Sequence, residues 1–355
     1  MIGRESGVYK TSYEADMALY PLPVAKLAAI VSVACLAALP LVLDSHAMAL
    51  VNLMALASIG AIGLNILVGY TGQVSLGHGA FMMVGSYTAA ILTMRYGVPF
   101  WLGIPLGGVM AAAVGAFFGI PSLRIKGLYL AIATLAAQFI VEWIINHSTW
   151  ISGGAQSTIY VPTPAFFGWE IDTEFRRWFM ILPVAIIAYV AALNLARTRI
   201  GRAFVAIRDR DIAAEIIGVN IFRYKLLAFA LSSFYAGVAG ALWTYYLKIA
   251  NYEHFTLVTS IQYLAMIIIG GLGSVLGSVF GAVFITLLPI VLVYVVEGAA
   301  RLAGYEYASV ADFLANLRLI IFGALIILSL AIEPEGLYRL WGHVKRYFRL
   351  WPFSY

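Results

Sequence analysis

Few side chains in this 355-residue sequence could hold, move or react with a solute, and most of them stand among glycines. Gln73, Ser75 and His78 lie between Gly72, Gly77 and Gly79, and a second glycine run holds Gly270, Gly271, Gly273 and Gly277. Where glycine unwinds a helix start, freed backbone N–H groups carry partial positive charge and suit a carboxylate, such as that of an amino acid. The alternative is that Gln73 and His78 satisfy the backbone the glycines unwind. No second His, Cys or carboxylate stands at ligand spacing from His78, so no metal site is expected. Thr134, Gln138, Glu142 and Asn146 recur at intervals of four, which stacks them into one polar stripe on a helix. A carboxylate such as Glu142 is costly at membrane depth unless it faces a bundle interior or an interface, so the stripe is a candidate lining for a solute path. Hydrogen-bonded glue between helices is its other reading.

The elements that must position these residues are membrane helices. Hydrophobic residues make up 63% of the chain and charged ones 11%, with a mean hydropathy of +0.92. A soluble domain carries roughly 25% charged residues, because it has to present a wetted surface. The single cysteine, Cys35, excludes a disulfide, a structural zinc site or an iron–sulfur cluster within the chain. Apolar segments of roughly 17 to 25 residues, long enough to cross a bilayer, begin near Val24, Ala47, Val74, Phe100, Ile125, Trp178, Lys225, Leu257, Val275 and Phe313. The expected fold is an all-α integral membrane protein of about ten transmembrane helices. Some of these should be broken or re-entrant at the glycine-rich segments from Gly69 to Tyr87 and from Ile267 to Phe284, where unwound backbone is tolerated only inside protein or a wet cavity. Paired interruptions in two halves of a chain point to a transport site. Gly273, Gly277 and Gly281 also share one helical face, which suits close helix packing as well as a pore.

Orientation follows from the bias of Lys and Arg toward the cytoplasm. The net charge of +5 is spread between the apolar runs and does not gather on one folded domain, which argues against nucleic acid as a partner. Residues 197–225 hold Arg197, Arg199, Arg202, Arg208, Arg210, Arg223 and Lys225 against Asp209, Asp211 and Glu215, and should be cytoplasmic. Alternate counting puts Arg124 and Lys126 inside, together with the basic tail 334–355, and places the loop 147–177 outside. Both termini are then cytoplasmic, with residues 1–23 as an N-terminal arm and 24–333 as the transmembrane domain. Within the basic loop, DRDIAAEIIGVN has the composition of a short amphipathic helix, with Ile212, Ile216 and Ile217 on its apolar side. Such a helix could dock a soluble partner; a solvated loop is the alternative.

Four stretches carry a resemblance: GYTGQVSLGHGAFMMVGSYTAAIL, GRAFVAIRDRDIAAEIIGVNIFRYKLLAFALSSFYAGVAGAL, IIIGGLGSVLGSVFGAVF and FGALIILSLAIEPEGL. In order and separation they resemble LivM-type permeases of bacterial branched-chain amino acid ABC importers. The resemblance implies a subunit of the bacterial inner membrane that works beside a LivH-type permease, two cytoplasmic ABC ATPases and a periplasmic substrate-binding protein. It implies no cofactor in this chain, since ATP and Mg would sit on the ATPases, and the sequence has no G-x-x-x-x-G-K-[ST] phosphate loop. It also implies that the ATPase-coupling motif E-A-A-x-x-x-G falls on Ala213, Ala214 and Gly218. Ile212 stands where the motif has Glu, so Asp211 or Glu215 would supply the acidic contact. Relatives of this family import urea, amides or aromatic acids, which remain alternative cargoes. An ion-coupled carrier is a further alternative, but its helices would bury more ionisable groups than Glu142.

Overall fold

The computed structural model describes Ser12, residues 23–122, 128–152, 158–166, 168–303 and 336–350, and isolated positions between 317 and 327. Its helices are α1 (Pro23–Ala38), α2 (Ser45–Thr71), α3 (His78–Tyr96), α4 (Phe100–Ser122), α5 (Leu128–His147), α6 (Thr149–Ser152), α7 (Glu174–Arg197), α8 (Arg199–Asp209), α9 (Asp211–Ile216), α10 (Ile221–Leu247), α11 (Leu257–Gly270), α12 (Val275–Ala303) and α13 (Gly336–Leu350). Four short strands lie outside the helices: β1 (Thr158–Tyr160), β2 (Ala165–Phe166), β3 (Trp169–Glu170) and β4 (Ile249–Asn251).

Among the described residues, seven segments are long and apolar enough to cross a membrane. They are α2, α4, α5, α7, α10 and α12, with Tyr252–Gly270, a 3-10 turn continued by α11. The expected crossings from Val24 and Val74 fall on α1, an apolar helix of 16 residues, and on α3, whose 19 residues include His78, Ser86, Thr88, Thr93 and Arg95 and which is not among the seven. Most of the expected crossing from Phe313 lies outside the described residues, as do Arg124, Lys126 and all of the arm 1–23 except Ser12 and Pro23. The count reached on the described residues is therefore seven, short of about ten.

Helix starts are marked by side chains that take up an otherwise unpaired N–H. Asp44, Thr173, Thr198 and Asn220 accept from Ala47, Arg176, Gly201 and Arg223 respectively. The core is built around α10, which packs on α2, α3 and α4. A Cβ on Gly85 of α3 would overlap the backbone of Gly237 on α10, and a Cβ on Gly237 would overlap Ala111 and Gly107 of α4. Nearby, Ser86 and Thr244 share a buried hydrogen bond of 2.6 Å. Phe81 and Phe229 meet edge to face at 5.6 Å, while Ile187, Phe117 and Ile132 stand exposed, as lipid-facing side chains do.

On one face of the bundle, β1 pairs antiparallel with β4 in the register Thr158↔Asn251, and β2 pairs with β3. Lys248 donates to Asp172 at 2.5 Å across the same loops, and this bond holds the exposed Asp172 carboxyl below its ordinary value. Just beneath, Glu174 accepts from Asn52 at 2.9 Å and from Tyr246 at 3.0 Å, tying α7 to α2 and α10. The opposite face carries α8 and α9.

Candidate functional site

Two breaks in helical backbone define the site. The first follows α2, which stops where Gly72 takes a left-handed φ of 71°. Its N–H reaches Val68 O at 3.1 Å and the Gln73 N–H reaches Leu67 O at 3.2 Å, an ending glycine makes without a Cβ penalty. Residues 73–77 then run without helix, and α3 begins at His78. Gln73, Ser75 and His78 are all buried.

The N–H groups of this break are met from inside the protein. Thr134 Oγ1 accepts from Leu76 at 2.9 Å, Ser75 Oγ from Gly77 at 3.4 Å, Ser260 Oγ from Gly79 at 2.8 Å and Gln138 Oε1 from Ala80 at 2.6 Å. Gln138 turns its amide nitrogen to Phe255 O at 2.7 Å, which fixes the start of α11 beside the start of α3. In this conformation none of these four N–H groups is open to a carboxylate. The stripe on α5 is divided accordingly: Thr134 and Gln138 are buried caps, while Glu142, one turn on, is only half-buried. The His78 ring lies 5.2 Å from that of Tyr263, and its Nε2 is buried without a partner among the described residues.

The second break separates α11 from α12. With 14 residues, α11 spans about 21 Å at 1.5 Å per residue, less than a membrane core of about 30 Å. It ends at Gly270, and Gly271 and Gly273 follow with φ of 124° and 76°. Buried Asn65 of α2 holds this turn: its amide donates to Ser274 O at 2.8 Å and Ser278 Oγ at 2.6 Å, and its Oδ1 accepts from the Gly273 N–H at 2.9 Å. The run of glycines at intervals of four is thereby split between two uses. Gly277 and Gly281 let α12 lie directly on α11 at Gly270 and Met266, whereas Gly273 sits in the turn.

Arg208, near the end of α8, joins the two breaks. Its Nη1 donates to Gly69 O at 3.0 Å, and its Nε pairs with Asp209 at 3.0 Å. A Cβ on Gly72 would meet its Cγ at 3.3 Å, and a Cβ on Gly273 its Nη1 at 3.0 Å. After Arg210 the chain forms α9, in which Ala214 is buried and Ala213, Glu215 and Ile216 are exposed. Asp211 accepts from the Ile212 N–H at 2.9 Å, and Gly218, at φ 90°, ends the turn with open space on its Cβ side. Ile212, Ile216 and Ile217 expose 68%, 81% and 75% of their surface, an apolar patch on the basic face of the bundle. Among the described residues, no group of three His, Cys, Asp or Glu could hold a metal ion.

Asn65, Ser260 and Arg208 were not singled out as site residues by the sequence. Asn65 alone left a signal there, as one of two asparagines in the 27-residue apolar helix α2.

A many-spanning helical bundle with two capped breaks and a short exposed helix between spans is the architecture of a multi-pass membrane protein. The chain belongs to the family described as the permease component of the branched-chain amino acid transport system, which it matches over residues 46–330. Among its relatives is the high-affinity branched-chain amino acid transport system permease protein LivM of Escherichia coli K12, 33% identical over 299 residues, 78% of this chain and 66% of that protein. The probable LivM of Methanocaldococcus jannaschii is 27% identical over 66% of this chain and 67% of its own length, and the probable LivH of that organism is 27% identical over 81% and 90%. The chain thus spans just under two thirds of the length of the E. coli relative. No solved structure matches it.

Proposed function

We propose that this chain is a membrane-spanning permease subunit of an ATP-driven importer for branched-chain amino acids, working by alternating access. The observation that carries the reading is the chain of contacts from exposed α9, through Arg208, to both helix breaks. A soluble ATPase seated on Ile212, Ile216 and the turn at Gly218 would move α9, and Arg208 would pass that movement to Gly69, Gly72 and Gly273. Ala213, Ala214 and Gly218 form the coupling segment in this reading. Exposed Glu215 is the better placed acid, because the Asp211 carboxylate already accepts from the Ile212 N–H. The permease itself does no chemistry; ATP and Mg belong to two partner ATPases. A LivH-type permease completes the membrane part, and a periplasmic binding protein delivers the solute.

The E. coli relative is named for branched-chain amino acid transport, which supports leucine, isoleucine and valine as cargo. The proposed topology has about ten crossings, the seven apolar spans being joined by α1, α3 and the apolar stretch from Phe313. Both termini and α8–α9 then face the cytoplasm of a bacterial inner membrane. The loop bearing β1 to β3 faces out.

The test is reconstitution of the purified chain with its copurifying subunits and binding protein, followed by uptake of labelled leucine with and without ATP, with urea and an aromatic acid as competitors. Uptake that requires ATP and resists both competitors is the expected result. Uptake that follows an ion gradient without any ATPase would overturn the importer. Competition by urea or the aromatic acid would overturn the cargo alone. Gly218→Trp adds bulk to the proposed docking turn, so the complex should insert but lose ATP-driven uptake.

A further inference from the structure

Between the loop-bearing face and the two breaks, α2, α3, α10, α11 and α12 line a partly open cavity of about 200 Å³. That is roughly seven times the ~30 Å³ a water occupies in the liquid, the size class of one aliphatic amino acid. Leu53, Met82 and Ile285 give it an apolar wall, and Trp243, Gln262 and Thr286 bring polar groups to it. None of its lining residues is Asp, Glu, Lys or Arg.

One of those polar groups lacks a partner. Trp243 Nε1 is buried and makes no hydrogen bond among the described residues, and half-buried Gln262 lines the same space. A buried donor left unmet costs free energy that a bound acceptor recovers. With no Asp, Glu, Lys or Arg in the wall, each charged end of a bound solute has to be met by neutral polar groups there. Tyr263 closes the cavity toward His78, so the space adjoins the capped start of α3, while His254, in the turn after β4, borders it toward the loops.

We propose that this cavity is the seat of the solute within the membrane. It takes one zwitterionic aliphatic amino acid, with the alkyl group against Leu53, Met82 and Ile285 and the carboxylate accepting from Trp243 Nε1–H. The inference rests on the importer reading and adds to it a place, a recognition donor and a size limit. Thr134 and Gln138 on α5, by contrast, serve the closed backbone next to the seat.

The experiment uses the reconstituted complex and labelled leucine or valine. Trp243→Phe keeps the ring and deletes the donor; the KM for leucine should rise roughly tenfold, as for a lost hydrogen bond to a charged group, with maximal rate and ATPase activity little changed. Ala57→Leu, on the cavity wall, reduces the space; leucine uptake should fall at least about tenfold relative to valine uptake, a methylene-scale discrimination. A merely structural defect would lower the rate for both solutes equally. If both variants transport leucine with wild-type KM and wild-type preference while the wild type is ATP-dependent, the seat lies elsewhere and the importer stands. If Ala57→Leu does not assemble, an unchanged KM in Trp243→Phe alone overturns the proposal. A wild-type complex that takes up neither amino acid with ATP overturns the importer and the seat together.

Discussion

Asn65→Leu should destabilise the protein more than any exchange of similar size on the lipid-facing surface. Asn65 is 1% exposed, and its side chain makes three hydrogen bonds of 2.6 to 2.9 Å to the turn between α11 and α12. Inside membrane proteins a side-chain hydrogen bond contributes about 0.6 kcal/mol on average, so three come to roughly 2 kcal/mol. Leucine fills the volume but leaves the Gly273 N–H facing a methyl group, and a stranded buried donor costs a further 1–3 kcal/mol or so. The expected loss is about 3–5 kcal/mol. Ser278→Ala, which removes one of the three partners, should cost about 1 kcal/mol. Thermal unfolding of the detergent-purified protein, or titration of unfolded fraction with a denaturing detergent, reads both. An Asn65→Leu protein within about 0.5 kcal/mol of wild type would show that the α11–α12 turn holds its shape without α2, and would remove the argument that the second break is held from the first half of the chain.

Arg208→Ala should leave ATP hydrolysis by the assembled complex in place while lowering solute moved per ATP; an unchanged ratio would sever α9 from the breaks. Gly85→Val should cost about 1–3 kcal/mol or more by overpacking against α10, and Gly97→Ala only about 1 kcal/mol, because Gly97 at φ 63° has open space around it; a reversed order in melting temperature would contradict the packing. The Asp172 carboxyl is held below its ordinary value by the Lys248 hydrogen bond, so the support it gives the loops is complete above about pH 4 and disappears as pH falls through the depressed value. Proteolysis of the 147–173 loop should therefore be flat from neutral pH to about 5 and rise only in stronger acid, and Asp172→Asn should abolish that rise.

The spans with long apolar runs were legible because a bilayer imposes one length and one composition on a crossing helix. The interruptions were legible as glycine clusters, and Gly72 and Gly273 do occupy backbone conformations that favour glycine. What the breaks are used for was not legible. Their N–H groups looked available because the caps come from residues far along the chain: Gln138 lies 58 residues from Ala80, Ser260 181 from Gly79, and Asn65 208 from Gly273. Periodicity reports which face of a helix is polar and does not report what that face meets. Thr134 and Gln138 were read as part of one polar stripe, as a path lining or as glue between helices, and only the packing distinguishes capping from solute contact. Arg208 was hidden differently. In a loop with six other basic residues it read as one more orienting charge, and its part-buried hydrogen bond to Gly69 O shows only in three dimensions.

The long reach of those caps has a consequence for the time during which the chain is made. Gly79 and Ser260 are separated by 181 residues, and ribosomes add about 5–20 residues per second. For roughly 10–35 seconds, then, α3 exists without the hydroxyl that later caps its start. α3 is not among the segments long and apolar enough to cross, and α11 reaches that length only together with the 3-10 turn before it. Over that interval the first half of the bundle must keep its broken end out of hydrocarbon, near water or the insertion machinery, until α11 emerges. Slowing synthesis between residues 80 and 260 should prolong the period in which this half-built bundle is open to membrane proteases.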